Sequence, residues 1–216
     1  PPAVEQALEA LPGTRTRTEE LVTVVFEPGT KAATEGAAAR SLLVELKAVE
    51  VPYPLAGELR LAPDRPLAAL LAPGAVVVHP DVLRRLGASV GGEVSLGGVR
   101  FRVAGTVVSE ADRLAGSFRV GPRVFVSREG LARTGLAGFG SRVTRRFLHD
   151  FPAGTEAPAA RKLVSALKAR LGDVPGVRVE SWLDGQPELR EAIRPTSRFL
   201  GLVALTSPLV GGVGVA

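Results

Sequence analysis

Gly87-Ala88-Ser89-Val90-Gly91 matches the G-x-S-x-G pattern in which an activated serine hydroxyl attacks a carbonyl carbon. His149-Asp150 would supply, on paper, the base and its orienting carboxylate. That chemistry needs a strand before the serine and a helix after it, so that a tight elbow exposes the hydroxyl. Here a short helix, Pro80 to Leu86 closed by Gly87, precedes Ser89, and a turn and strand follow it. With the order reversed, Ser89 reads as a surface serine between two turn glycines, and His149 as incidental. Glu110, Asp112 and Arg113 form a second charged cluster, open to a metal or acid–base role or, more simply, to a surface ion pair. Phe118 to Val126 (FRVGPRVFV) carries two exposed arginine positions between apolar residues. The sequence holds no G-x-x-x-x-G-K-[ST] phosphate loop, no H-E-x-x-H and no carboxylate ladder with calcium spacing. No catalytic, cofactor-binding or metal-binding residue is therefore assigned, and both charged stretches read as architecture.

Composition narrows the class further. The net charge of +5 and pI near 10.4 raise a nucleic-acid reading. However, the arginines are scattered among acidic and apolar neighbours, with Arg84-Arg85 and Arg145-Arg146 as adjacent pairs, and aromatic residues make up 5% of the chain. Little is available for bases to stack on, and no helix-turn-helix, zinc finger or RNP motif is present, so solvated faces account for the arginines. A 45% hydrophobic content over 216 residues allows a packed core. The absence of Cys rules out disulfides and thiolate metal sites and is compatible with either side of a bacterial membrane. With no Met, the chain reads as processed or, the favoured expectation, as a fragment; Glu5 and Glu9 interrupt any signal-peptide core, so if the domain lies outside the cytoplasm an upstream membrane segment has to deliver it.

The elements that would carry these residues follow from hydrophobic spacing. Val4, Ala7, Leu8 and Leu11 recur at helical intervals. Strands are predicted at 14–27 and 41–51 around an exposed 30–40 loop, and the proline-rich 52–73 stretch reads as an extended surface connection. Strand 75–78, helix 80–86, a hairpin of 93–96 with 99–108, strand 121–127 and helix 128–134 come next. Arg100 and Arg102 should face water, alternating with Val99, Phe101 and Val103. Strand 142–149, a sheet-covering helix 157–171 capped by Gly172, and strand 177–181 complete the water-exposed part. A helix from Gln186, disturbed by Pro195, leads into Phe199 to Ala216, which carries no charge. As a helix that segment would be about 27 Å long, near the roughly 30 Å of a bilayer core, and it reads as a truncated transmembrane helix; a buried core helix is the plainer alternative. Ser207 with Gly211, and Gly212 with Ala216, are small residues four apart that permit close helix packing in lipid, and Pro208 implies a kink.

The ordered set Leu83 to Gly87 (LRRLG), Gly91 to Gly97, Phe101 to Gly105, Glu110 to Arg113, Gly121 to Ser127 and Thr134 through Val143 resembles the extracytoplasmic domain of MacB/FtsX-like ABC-transporter permeases. Within that family it is most similar to the YbbP-like branch, related to the lipoprotein-release permeases LolC and LolE. Pro187 to Arg190 and Phe199 to Ala204 look like the run into the family's second transmembrane helix. The resemblance implies an α+β fold: a two-part extracytoplasmic domain, with a porter-like α/β sandwich at 1–55 and 142–196 and a β-rich sabre-like insert at 56–141. The truncated transmembrane helix would occupy 197–216. It further implies a permease subunit, not an enzyme, of the bacterial inner membrane, with residues 1–196 extracytoplasmic or periplasmic. The chain itself would need no cofactor, because a separate cytoplasmic ATPase subunit would bind ATP. A second permease copy or homologue would be its dimer partner, and the cargo would be hydrophobic or lipid-like, such as a lipid or lipoprotein. The sequence departs from the family pattern at Gly92-Glu93, where Gly-Asp is common, and at Ala111, where Pro precedes Asp-Arg. The alternative is a membrane-anchored binding or scaffold domain without energy coupling. Arg194 and Arg198 beside the apolar segment favour a cytoplasmic flank, but long domains translocate largely regardless of charge, so the resemblance decides the topology.

Overall fold

Val, Ile, Thr and aromatic residues at alternating positions favour strands because branched side chains pack well on a pleated surface. The described residues form eight strands, and all but one of them carry Val, Thr or Phe. The computed structural model describes residues 2–28, 40–110 and 121–181. In order the elements are α1 (Pro2–Glu9), β1 (Thr14–Phe26), β2 (Ser41–Val49), β3 (Leu59–Ala62), α2 (Leu67–Leu70), β4 (Ala75–Val78) and α3 (Pro80–Leu86). They continue with β5 (Glu93–Leu96), β6 (Val99–Glu110), β7 (Arg123–Ser127), α4 (Arg128–Thr134), β8 (Thr144–Asp150) and α5 (Ala157–Leu171).

The described residues divide into two compact units, one made of residues up to Pro12 with those from Ala153, the other of Gly13–Pro152. In the first, α1 packs against α5, burying Val4, Ala7 and Leu8 of α1 and Leu171 of α5. The second holds all eight strands. Their hydrogen-bonded order is β2-β7-β4-β6-β5-β1, and β1 also pairs with β2, so six strands close on themselves into a barrel. The length of β1 makes this possible: Thr18–Phe26 pairs antiparallel with β2 along one edge, while the other edge carries β8 at Thr14–Glu20 and β5 at Val25 and Phe26. β6 is shared in the same way, meeting β5 near its start and β3 near its end. β1 and β2 thus run in one hydrogen-bonded network with the strands of residues 56–141.

One set of alternating side chains from all six barrel strands converges in a single core: Leu21 and Val25, Val44 and Leu46, Val76 and Val78, Val94 and Leu96, Phe101 and Val103, Val124 and Val126. α3 adds Val82 and Leu86, and α4 adds Leu131. Both helices begin where a side chain satisfies an orphan amide. His79 Nδ1 accepts from the Asp81 N–H, with Pro80 in the first turn, and Ser127 Oγ accepts from the Gly130 N–H at 3.0 Å. Gly87, at φ 69°, closes α3 in the left-handed region as predicted. The opposite faces of β2, β4 and β7 bury Val49, Val77 and Phe125 against Leu61 of β3 and Leu67 and Leu70 of α2.

Three expectations need correction. Residues 52–73 are not a bare connection, since they contain β3 and α2; these elements are four residues each and flanked by prolines, too short for a periodic signal. Residues 177–181 are not a strand: the Val177 N–H is held in a turn by the Val174 carbonyl. Gly172 caps α5 where expected, but its dihedrals are right-handed helical instead of the left-handed ones usual for a capping glycine. The α5 neighbour in its own unit is α1, with Leu163 and Leu167 half-buried. No helix among the described residues is long and apolar enough to cross a membrane, and the apolar segment 199–216 lies outside them.

Candidate functional site

The hydrolase-like pattern folds as its spacing implied. Ser89 is exposed in the turn that follows α3 and precedes β5, so a helix stands where a nucleophile elbow requires a strand. His149 lies on β8 opposite Arg15 of β1, with its ring edge-on to Phe151 at 5.0 Å, in a different part of the sheet network from Ser89. The other histidine, His79, serves as the cap of α3. Among the described residues no group of three or more His, Asp or Glu side chains is placed to hold a metal ion. A shallow hollow of about 60 Å³, lined by Val49, Val51, Tyr53, Leu67 and Leu71 among others, has room for only a few waters.

The concentrated chemistry is a buried row of charges that the sequence placed on the surface. Arg123, read as an exposed strand arginine, opens β7 with its side chain only 4% exposed. Glu110, read as part of a surface cluster, ends β6 equally buried. Asp112 and Arg113, the other members of that cluster, and Arg119 lie outside the described residues. The Arg123 guanidinium donates from Nη1 to Glu110 Oε1 and from Nη2 to Glu45 Oε2 at 3.2 Å. Glu45 and Arg123 face each other in register across the parallel β2–β7 pair. Two residues further along the same face of β2, Lys47 is buried, with Nζ 3.2 Å from Glu20 Oε1 and 4.8 Å from the centroid of the Tyr53 ring. Glu20 is opposite Lys47 on β1, and its other oxygen lies 3.6 Å from Arg146 Nη2 on β8. On the reverse face of β1, Glu19 binds Arg17 and lies 3.6 Å from Arg145.

The topology explains why Glu110 and Arg123 meet. β4 separates β6 from β7, but its pairing ends at Val78, opposite Thr106 on one side and Val124 on the other. β6 runs on to Glu110, and the His79 N–H turns to the Arg123 carbonyl at 2.9 Å. The ion pair therefore bridges two strands that are no longer joined through β4. Burial disfavours the Arg123 charge, yet Glu110 above all, then Glu45 and Glu20, outweigh it and hold its pKa above the ordinary arginine value. That added stability is present at every pH below the unfolded value and is lost only above it, so Arg123 stays charged under all ordinary conditions. Both of its neighbouring carboxylates bind this permanent cation, an arrangement that ties the strands together.

The sequence did carry one signal for this site. A charged residue that opens Val124-Phe125-Val126, a run buried on both faces, has no solvent side to occupy.

The geometry defines a six-stranded barrel whose core α3 and α4 complete and whose strands are tied on one side by buried ion pairs. No protein-family model matches the chain. The chain is 32% identical over 107 residues, 49% of its length, to the uncharacterized ABC transporter permease YbbP of Escherichia coli K12, which supports the permease resemblance carried by residues 83–142. It spans 13% of that permease. Among solved structures it is similar to the periplasmic region of MacB from Actinobacillus actinomycetemcomitans, with 16% identity, 79% of this chain and 72% of that one covered, and a TM-score of 0.49. A domain of a putative permease from Porphyromonas gingivalis has 12% identity, 78% and 68% coverage and a TM-score of 0.47. The extracellular domain of the noncanonic ABC-type transporter YknZ from Gram-positive bacteria has 11% identity, 79% and 83% coverage and the same TM-score.

Proposed function

We propose that this chain is the extracytoplasmic part of an ABC-transporter permease subunit and passes ATP-driven motion to a hydrophobic or lipid-like cargo or to an outer partner. The observation that carries the proposal is the 32% identity over 107 residues to a permease. On this reading residues 1–196 stand outside the cytoplasm of a bacterium and 197–216 begin a membrane helix. The division into 1–55, 56–141 and 142–196 belongs to the same proposal. ATP is bound and hydrolysed by a separate cytoplasmic ATPase subunit, and a second permease copy or homologue completes the membrane assembly. The chain's part is mechanical, which favours a stiff body, and a closed barrel whose strands are also tied by buried ion pairs is stiffer than an open sheet.

The test is purification of the full-length protein from its own membrane. An ATPase carrying a phosphate-binding loop should co-purify, and inactivating that ATPase should abolish the cellular phenotype of the permease. A full-length protein that purifies alone, and whose phenotype survives loss of every candidate ATPase, would overturn the proposal in favour of a membrane-anchored scaffold.

A further inference from the structure

We propose that Glu110, Arg123, Glu45, Lys47, Glu20 and Arg146 work as one coupling element, linking the end of β6 to β8 across β7, β2 and β1. Backbone hydrogen bonds join each barrel strand only to its neighbours. The row adds links of another kind. Glu110 and Arg123 connect β6 with β7 beyond the reach of β4, and Glu20 carries the chain of charges on to Arg146, outside the barrel. Glu20 with Lys47 and Glu45 with Arg123 are cross-strand partners, Glu45 and Lys47 are two residues apart on β2, Arg146 lies opposite Thr18 and so diagonal to Glu20, and Glu110 reaches Arg123 beyond the end of β4.

Burial makes the row act as a unit. Its inner members, Arg123, Glu110 and Lys47, are each no more than 4% exposed, so water screens them little and a change in one charge is felt by the next. The influence already reaches past nearest neighbours, since Glu20 on β1 contributes to holding the Arg123 charge on β7. Glu110 depends on Arg123, which binds its Oε1, because its Oε2 is buried without a hydrogen-bond partner among the described residues. The far end is placed where a response has consequences: the chain enters the Gly13–Pro152 unit through β1 and leaves it through β8. If the transport reading holds, this is the route along which a load near the end of β6 reaches the strands that lead out of the unit. The coupling is a property of the chain itself, so its failure would leave that reading standing.

Arg145 and Arg146 provide the experiment. They are adjacent on β8, about equally exposed at 49% and 53%, and paired with glutamates on opposite faces of β1. Both substitutions are at half-exposed positions, where folding tolerates change. Hydrogen exchange is measured in the full chain and normalised to the paired residues of the β5–β6 hairpin, Glu93–Leu96 and Val99–Arg102. Arg146→Ala should speed exchange of amides in Val107–Glu110 and Arg123–Phe125 by about 2- to 30-fold, the range expected of modest long-range coupling, while Arg145→Ala leaves them unchanged. Glu110→Gln combined with Arg146→Ala should then give less than the product of the two single effects. Faster exchange confined to β1 and β8, equal effects of the two arginines, or strictly multiplicative double-variant rates would each overturn the proposal.

Discussion

Removing the Arg123 guanidinium while keeping its aliphatic bulk, as in Arg123→Met, should be among the most damaging single changes outside the apolar core. The gross attraction to Glu45 at 3.2 Å is about 5 kcal/mol at an effective dielectric constant of about 20, and the contact with Glu110 adds a second term of similar kind. Most of this is offset by the desolvation of three charges, so the intact network adds little net stability. The variant meets a different balance. The desolvation of Glu110 and Glu45 remains while their common cation is gone, and such a broken buried pair costs about 3–5 kcal/mol. With a urea slope near 2 kcal/mol per molar, the unfolding midpoint should fall by roughly 1.5–2.5 M. Arg128→Met is the internal control. Arg128 and Glu50 are 40% and 47% exposed at 3.0 Å, so losing that pair should cost about 1 kcal/mol or less. Urea titrations of both variants followed by far-ultraviolet circular dichroism decide the matter. An Arg123→Met midpoint no lower than that of Arg128→Met would refute the view that the row is buried and mutually dependent.

Three further outcomes follow from the same structure. Replacing Glu45, Glu110 and Arg123 together by Leu, Leu and Met should destabilise less than Arg123→Met alone, because no uncompensated charge is left; the urea midpoints of the two variants compare them directly. Phe101→Ala empties a fully buried position beneath the Arg133 guanidinium and should cost about 3–5 kcal/mol in the same titration. Gly97→Ala should destabilise by at least about 1 kcal/mol, since φ is +56° and an added Cβ would lie 2.7 Å from the Thr134 carbonyl oxygen, whereas Ser89→Ala on its exposed turn should stay within about 0.5 kcal/mol of the parent by thermal unfolding.

Local elements were legible wherever a signal of adequate length met a stop. The Val-rich β4, the helices that end at Gly87 and Gly135, and the β5–β6 hairpin, with Arg100 and Arg102 exposed and Phe101 and Val103 buried, stand at or near the positions their patterns indicate. What periodicity could not convey is pairing between distant strands. Nothing in β1 announces that its two edges serve three partners, β2, β8 and β5, and the barrel depends on that sharing. The charge row was hidden for the same reason. Glu20, Glu45, Lys47, Glu110 and Arg123 span 103 positions between Glu20 and Arg123, and each alone looks like a solvated strand residue. Their burial follows only once β2 sits between β1 and β7, with β4 ending short of Glu110. The permease resemblance, by contrast, rested on the order of several short stretches along the chain, from Leu83–Gly87 and Gly91–Gly97 to Gly121–Ser127, which needs no knowledge of how distant strands pair.

The placement of this unit outside the cytoplasm is the claim on which the functional account depends, and the chain is well suited to a direct measurement because it has no Cys of its own. Phe139→Cys, at a fully exposed position, would be introduced into the full-length protein, with any cysteine outside these 216 residues replaced by Ser, and treated in intact bacteria with a membrane-impermeant maleimide. The account predicts labelling without permeabilisation, to the same extent as after it. Labelling that appears only once the inner membrane is breached would contradict it.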